Sequence, residues 1–179
     1  MHKGICNMNC NWIKENEDVF YTTHLITTVC KEDIDILKKN ASTSKRKQSR
    51  LCTHLSSKED IHEMLIVHSK GNYVRPHKHL DKTESFHIIE GKLRIIIFDD
   101  NGKINITIKM TEYGAGGICY YRLSEPLYHT VVPVSDMVVF HETTKGPFNR
   151  SDCCFAPWAP HVGDSACSLY LENLLNIHC

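Results

Sequence analysis

A run of short apolar segments separated by turn residues, between residues 61 and 145, limits the possible folds more than any other feature of the chain. At least seven segments of strand length lie within about 85 residues, and they occupy residues 62–69, 85–91, 92–98, 103–110, 116–123, 128–134 and 136–142. The sequence DDNG at 99–102 is a strong hairpin signal between two of them. Short strands at such even spacing are typical of a closed barrel or a jelly roll.

Helical patterns flank this run on both sides. Residues 31–40 begin acidic and end basic, which complements a helix dipole, and the leucines of residues 165–177 are spaced as in a helix packed on a barrel. We therefore predict one structural domain, mainly β, with a short N-terminal α segment and a C-terminal helix. Its predicted parts are an N-terminal extension of strand, short helix and basic loop at 1–60, the barrel at 61–145, and a proline-rich wrapping segment with the C-terminal helix at 146–179.

Two histidines and a glutamate within the run have the spacing of a metal site. His77 and His79 lie two residues apart, so in a strand both imidazoles point to the same face. Glu84 follows after a short turn, which can bring its carboxylate back from a neighbouring strand. Imidazole with carboxylate suits one divalent ion of Fe, Mn, Zn, Ni or Co, and the pattern alone does not select among them.

The spacing around these residues resembles the first motif of the cupin superfamily. Gly71, five residues, His77-x-His79, four residues, Glu84, six residues and Gly91 fit it position by position. The wider sequence YVRPHKHLDKTESFHIIEGKLRIIIFDD, with GPF and FAPWAP later, resembles the WbuC-type cupin fold metalloproteins associated with bacterial O-antigen gene clusters. This resemblance implies a cupin-type double-stranded β-helix (a jelly-roll barrel), one divalent metal, and a family whose reaction is not settled.

The resemblance also implies a fourth ligand from a second motif, and His129 is the candidate. It lies at the start of an apolar strand after a proline-containing turn. The chain departs from the motif here, because Ser124, Pro126 and Pro133 replace the proline, glycine and asparagine of the family pattern. A buried structural histidine is the alternative interpretation of His129.

Strand parity extends the candidate site to residues before His77. Tyr73 and Arg75 would share the face of His77, and we expect them to line the cavity above the metal. An inward Arg75 needs an anion, which a substrate phosphate or carboxylate or an ion pair with Glu142 would supply. Tyr73, His54 and Glu142 are the candidate general bases.

A basic segment and a proline-rich segment supply the remaining candidates. Residues 42–50 contain no apolar side chain and are typical of a solvated loop, whereas the family resemblance implies that Arg46, Arg50 and His54 contribute to binding an anionic substrate. Phe155 and Trp158 are candidate apolar contacts to substrate, with core packing as the alternative.

Composition restricts partners and compartment. Lys+Arg and Asp+Glu both total 21, which favours a small-molecule partner over nucleic acid. Without a signal-peptide pattern or an apolar run long enough for a bilayer, we expect a cytoplasmic protein without a membrane partner.

The odd number of cysteines, nine, favours reduced thiols. Cys6 and Cys10 with His2 could serve a zinc site, although a second ligand pair at zinc-finger spacing is missing.

Three functional hypotheses follow from the sequence and its resemblance. The first is a metal-dependent enzyme, an isomerase, epimerase, lyase or oxygenase, that acts on a sugar phosphate or nucleotide sugar in bacterial surface polysaccharide (O-antigen) biosynthesis. The second is a metal-containing binding or sensing module without turnover, and the third is an Fe(II) dioxygenase-type oxidoreductase. The resemblance also implies a homodimer.

Overall fold

The computed structural model describes residues 12–177. This part of the chain contains two helices, α1 (Lys31–Thr43) and α2 (Ala166–Leu175). Its strands are β1 (Trp12–Lys14), β2 (Val19–Thr22), β3 (Gln48–Cys52), β4 (Ile61–Ser69), β5 (His77–His79), β6 (Glu84–Glu90), β7 (Lys92–Phe98), β8 (Ile104–Thr111), β9 (Tyr120–Leu123), β10 (Tyr128–Pro133), β11 (Met137–Lys145) and β12 (Cys153–Phe155). Short 3₁₀ turns lie at Tyr113–Ala115 and Arg150–Asp152.

The strands form two sheets. One has seven strands in the order β1-β2-β3-β4-β11-β6-β9, and the other has five in the order β12-β5-β10-β7-β8. Neighbouring strands are antiparallel except β2 and β3, which are parallel. The predicted mainly β fold with a C-terminal helix is thereby confirmed.

Along the central strands, successive side chains point to opposite faces of the sheet and so belong to different apolar cores. On β11, Val138 and Phe140 pack between the sheets, whereas Val139 points to the other side and packs with Leu37 and Ala41 of α1. Strand β7 is buried on both faces because α2 covers its outer face. This double burial explains why the β7 sequence is continuously apolar from residue 95 to residue 98 instead of alternating.

The flanking segments contribute strands to both sheets. Strand β4 begins at the predicted barrel limit, Ile61, and β11 ends at the other limit, Lys145. However, β3 pairs with β4 and β12 pairs with β5, so the extension and the proline-rich segment continue the two sheets. The basic segment is also more ordered than a loop, because Gln48–Arg50 lies in β3.

The hairpin, the cysteines and the absence of a membrane span were also predicted from the sequence. The hairpin predicted at 99–102 connects β7 to β8, which pair directly. Five described cysteines are free thiols, namely Cys52, Cys119, Cys153, Cys154 and Cys167, and the Cys6/Cys10 pair lies outside the described residues. Within residues 12–177, no helix has the length and apolar character needed to cross a membrane.

Candidate metal centre

Three histidines from two paired strands meet at the inner face of the five-stranded sheet. Strand β5 carries His77 and His79, and His129 on β10 lies directly opposite His77 in the antiparallel register. One ring nitrogen of each histidine lies within 4.8 Å of the others. This is the spacing that ligands around one ion require.

Backbone hydrogen bonds fix the orientation of two of these rings. Nδ1 of His77 lies 2.9 Å from the carbonyl oxygen of Arg75, and Nδ1 of His129 lies 2.9 Å from that of Leu127. A carbonyl only accepts, so Nδ1 of each ring carries a proton, and in the neutral ring Nε2 has a lone pair that can bind a metal. Such backbone contacts orient metal-binding imidazoles in general.

Glu84 contributes a buried carboxylate from the opposite sheet. Its Oε1 lies 2.9 Å from Nε2 of His129, and its Oε2 lies 3.5 Å from Nε2 of His79. The first contact is short, yet Oε1 lacks a hydrogen bond of acceptable geometry, as does the buried Nδ1 of His79. Three imidazoles and a carboxylate that converge without satisfying one another fit a shared divalent cation.

The pKa values of these groups reflect the same crowding. Burial, followed by the charge of His129, lowers the pKa of His77 to about 4, which keeps this imidazole neutral at pH 7. Burial acts to raise the pKa of Glu84, but the charge and hydrogen bonding of His129 and His79 outweigh it and lower the pKa overall. Conversely, burial acts to lower the pKa of His129, and Glu84 raises it overall. The carboxylate is therefore ionised and suited to a cation.

These four residues line a cavity of about 620 Å³ between the sheets. Successive side chains of a strand point to opposite faces of the sheet. The cavity is therefore lined by every second residue of five strands in the larger sheet. These residues are Val19 and Tyr21 of β2, Gln48, Arg50 and Cys52 of β3, His62, Met64, Ile66 and His68 of β4, Glu84 and Phe86 of β6, and Phe140, Glu142 and Thr144 of β11.

Glu142 is the second carboxyl group in this cavity. It lies between Phe86 and Met64 in the strand register, so its closest cross-strand neighbours are apolar. Burial, followed by repulsion from Glu84, raises the pKa of Glu142 to about 8. In the metal-free chain Glu142 therefore holds a proton at neutral pH, as a general acid would.

His54 also lines the cavity, in a fixed position. Its ring stacks on that of His62 with centroids 4.2 Å apart, and its Nδ1 lies 3.1 Å from the backbone carbonyl oxygen of Glu63. Burial lowers the pKa of His54. The structure thus brings two of the three candidate bases, Glu142 and His54, into the same cavity.

The residues that line the cavity do not include Tyr73 and Arg75, which strand parity predicted to line it. The Tyr73 hydroxyl donates to the backbone carbonyl of Pro160 at 2.8 Å. Arg75 donates to the carbonyl of Ala156 at 2.9 Å, and its guanidinium lies over the Phe155 ring. The cause is that residues 70–76 do not form a strand, so the two-residue period does not extend before His77.

Phe155 and Trp158 also lie outside the cavity lining. Phe155 is 53% exposed, with its ring centroid 6.1 Å from that of His77. Trp158 packs on Phe98, and its indole donates to the carbonyl of Asp100 at 3.1 Å. For Trp158, this position corresponds to the core-packing alternative.

Arg46 and Arg50 also line the cavity. Arg50 lies on β3, and three strand-to-strand steps separate β3 from Glu84 on β6. The sequence interpretation missed His68 in this region, a buried cavity residue whose pKa burial lowers to about 3. Its signal was present, because His62 and His68 share one face of β4 by simple alternation.

Comparisons with known proteins give partial matches to the chain. The family model described as a domain of unknown function (DUF6016) matches residues 29–110, less than half of the chain. No curated protein matches this chain in sequence. Among solved structures, oxalate oxidase in complex with glycolate is 12% identical over 65% of this chain and 58% of that chain, with a TM-score of 0.48.

Two further solved structures resemble the chain. Oxalate decarboxylase from Bacillus subtilis, with its Mn(II) centres, is 23% identical over 51% of this chain and 23% of that chain, with a TM-score of 0.42. The cupin domain of Schizosaccharomyces pombe Cnp3 is 14% identical over 56% of this chain and 66% of that chain, with a TM-score of 0.43. The chain thus spans from under a quarter to about two thirds of the solved chains that it resembles. The Cnp3 structure is described as a cupin domain, and membership of this chain in the WbuC-type subgroup stays a prediction from the sequence.

Proposed function

We propose that this chain is a mononuclear, metal-dependent enzyme of the cupin type that acts on a small anionic substrate. The observation that carries the proposal is the convergence of His77, His79, His129 and Glu84 on one point of a cavity. Four protein ligands leave open positions around a five- or six-coordinate ion, and open positions distinguish catalytic sites from purely structural ones. One ion of Fe, Mn, Zn, Ni or Co, when bound, would supply Lewis acidity or, in the case of iron, reactivity with dioxygen.

The chain's own residues support turnover rather than binding alone. Glu142 shares the cavity with the donor set, and in the metal-free chain burial and the charge of Glu84 raise its pKa to about 8. His54 offers a second titratable group on the same wall. A module that only binds its ligand does not need a proton carrier beside the metal, so Glu142 favours an isomerase, epimerase, lyase or oxygenase.

For the substrate, we infer a sugar phosphate or nucleotide sugar, as used in bacterial surface polysaccharide (O-antigen) biosynthesis. The support is the sequence resemblance around residues 71–98 together with the arginines of the cavity lining. An arginine fork suits phosphate. The cytoplasmic location and the homodimer remain predictions from the sequence.

Elemental analysis of the purified full-length protein tests the metal. We expect about one divalent ion per chain and its loss in the His77→Ala/His79→Ala double variant. His87→Ala is the matched control, because His87 lies on β6 near the site but is exposed. Equal metal content in the double variant and the wild type would rule out this site.

Turnover needs a separate measurement. Sugar phosphates and nucleotide sugars are incubated with protein loaded with Fe, Mn, Ni or Zn, aerobically and anaerobically, and products are followed by mass spectrometry. We expect conversion that falls at least about tenfold in Glu142→Gln. Conversion only with iron and dioxygen would identify a dioxygenase, and ligand binding without conversion would identify a binding module.

A further inference from the structure

The cavity extends well beyond the metal centre, onto strands of the N-terminal extension. Arg46, Gln48 and Arg50 line it from β3 and the turn before β3, and His68 lies beside Gln48 in the register of β3 and β4. The side of the cavity formed by these four residues is called here the distal wall. None of the four belongs to the metal donor set.

The sheet register gives the separation between the distal wall and the metal centre. Strands β6 and β3 are three strand-to-strand steps apart, which amounts to about 14 Å across the sheet. Along the strands, the β4 residues aligned with Arg50 and with Glu84 lie four residues apart, which amounts to about 13 Å. Their backbone positions are therefore roughly 20 Å apart. After the reach of both side chains, a gap on the order of 10 Å remains, and Glu142 lies on a strand between them.

Arg50 of the distal wall lacks an ion-pair partner. Within residues 12–177, no carboxylate lies within ion-pair distance of Arg50. Arg46 is partly compensated, because its Nη1 lies 3.8 Å from Oδ2 of Asp18. Glu15 also lines this side of the cavity, without an ion pair to Arg50.

Polar groups of the distal wall are also incompletely satisfied. Nδ1 of His68 is buried without a hydrogen-bond partner in the described part of the chain. The amide of Gln48, by contrast, is held between Asp18 and Asn72, at 3.4 Å from each. Fixed polar groups beside an unpaired guanidinium are suited to an anion with several acceptor oxygens.

We propose that the distal wall is an anion subsite, centred on Arg50, that binds a phosphate-type group of the substrate remote from the metal. The proposal rests on the function proposed above and narrows its substrate class. A substrate that occupies both places must be elongated, with its reacting atoms near the metal and Glu142 and its phosphate or diphosphate about 10 Å away. A nucleotide sugar has this shape, whereas a single small acid would occupy only one of the two places.

Calorimetric titration of the full-length protein with UDP and with inorganic pyrophosphate tests the subsite. We expect both probes to bind, and Arg50→Gln to weaken both by about tenfold or more, since a charge-assisted contact is lost. Arg122→Gln is the matched control, because Arg122 is exposed on β9 and outside the cavity lining. No binding to the wild type, or equal binding to Arg50→Gln, overturns the proposal. Binding of pyrophosphate without a preference for UDP would retain the subsite and reject a nucleotide as its ligand.

A second arm separates this subsite from the metal centre. Protein stripped of metal by a chelator, and the His77→Ala/His79→Ala variant, should bind UDP within about threefold of the metal-loaded protein, because the anion does not contact the metal. In Mn(II)-loaded protein, paramagnetic relaxation should place phosphorus about 10 Å from the ion. Phosphorus at direct-coordination distance, or binding that requires metal, would overturn the distal location. If the wild-type protein contains no metal but still binds UDP, the metal centre alone is rejected and the subsite is retained.

Discussion

Two glutamates in one cavity have pKa values that depart in opposite directions from the usual value, because their neighbours differ. Glu84 lies against His79 and His129, whose charge and hydrogen bonding overcome the effect of burial and lower its pKa. Glu142 has apolar cross-strand neighbours and feels the charge of Glu84, so burial and repulsion raise its pKa to about 8. Separation of this kind is in line with the proposed roles of Glu84 in cation binding and Glu142 in proton transfer.

At the residue scale, Glu142→Gln should make the metal-free protein less sensitive to alkaline pH. A carboxyl group with a raised pKa contributes stability that is complete below its unfolded value near 4.5 and is lost as pH rises towards about 8. Glutamine cannot ionise, so the variant should lose less stability between pH 5 and pH 8, by up to a few kcal/mol. Urea unfolding with chelator at both pH values measures this. Parallel losses in the wild type and the variant would show that Glu142 is not buried as a neutral acid.

At the element scale, α2 and β7 stabilise each other. Leu171 and Leu174 of α2 pack with Ile96 and Phe98, the residues of β7 that point away from the space between the sheets. The outer face of β7 would otherwise present these apolar side chains to water. The leucine spacing predicted this helix, yet it did not specify that Leu174 is buried while Leu169 is 63% exposed.

Leu174→Ala should therefore destabilise the protein by about 2–4 kcal/mol, through lost apolar burial and a residual cavity. Leu169→Ala, on the same helix, is the control and should change stability by less than about 0.5 kcal/mol. Urea unfolding of both variants gives the comparison. If both cost the same, α2 would not contact β7 in the way described.

Strands whose residues alternate regularly could be predicted from the sequence, and segments outside regular strands could not. The HxH spacing, Glu84 and His129 needed only the two-residue period and a resemblance, and the structure brings all four together. The parity argument for Arg75 extended the two-residue period into residues 70–76, where the chain is irregular. The distance between Arg50 and the histidines depends on sheet order, which local patterns do not encode.

At the scale of the whole molecule, burial of apolar side chains stabilises the fold in the described part of the chain. Apolar clusters lie between the sheets, under α1 and under α2, and a chain of 179 residues can bury a core large enough to dispense with disulfides. The cysteines agree with this. Cys153 and Cys154 lie opposite His79 and Lys78 on β5, so these neighbouring thiols point to opposite faces of their sheet.

We therefore predict that all nine cysteines titrate as free thiols in denaturant without reductant. In the native protein Cys52 should react slowest of the six described cysteines, because it is 1% exposed and burial raises its pKa, which lowers the fraction of reactive thiolate. Thiol titration with and without denaturant measures the total and the rates, and a Cys52→Ala variant assigns the slow phase. Two or more thiols missing in denaturant, with a matching mass from non-reducing mass spectrometry, would mean that disulfides contribute to stability after all.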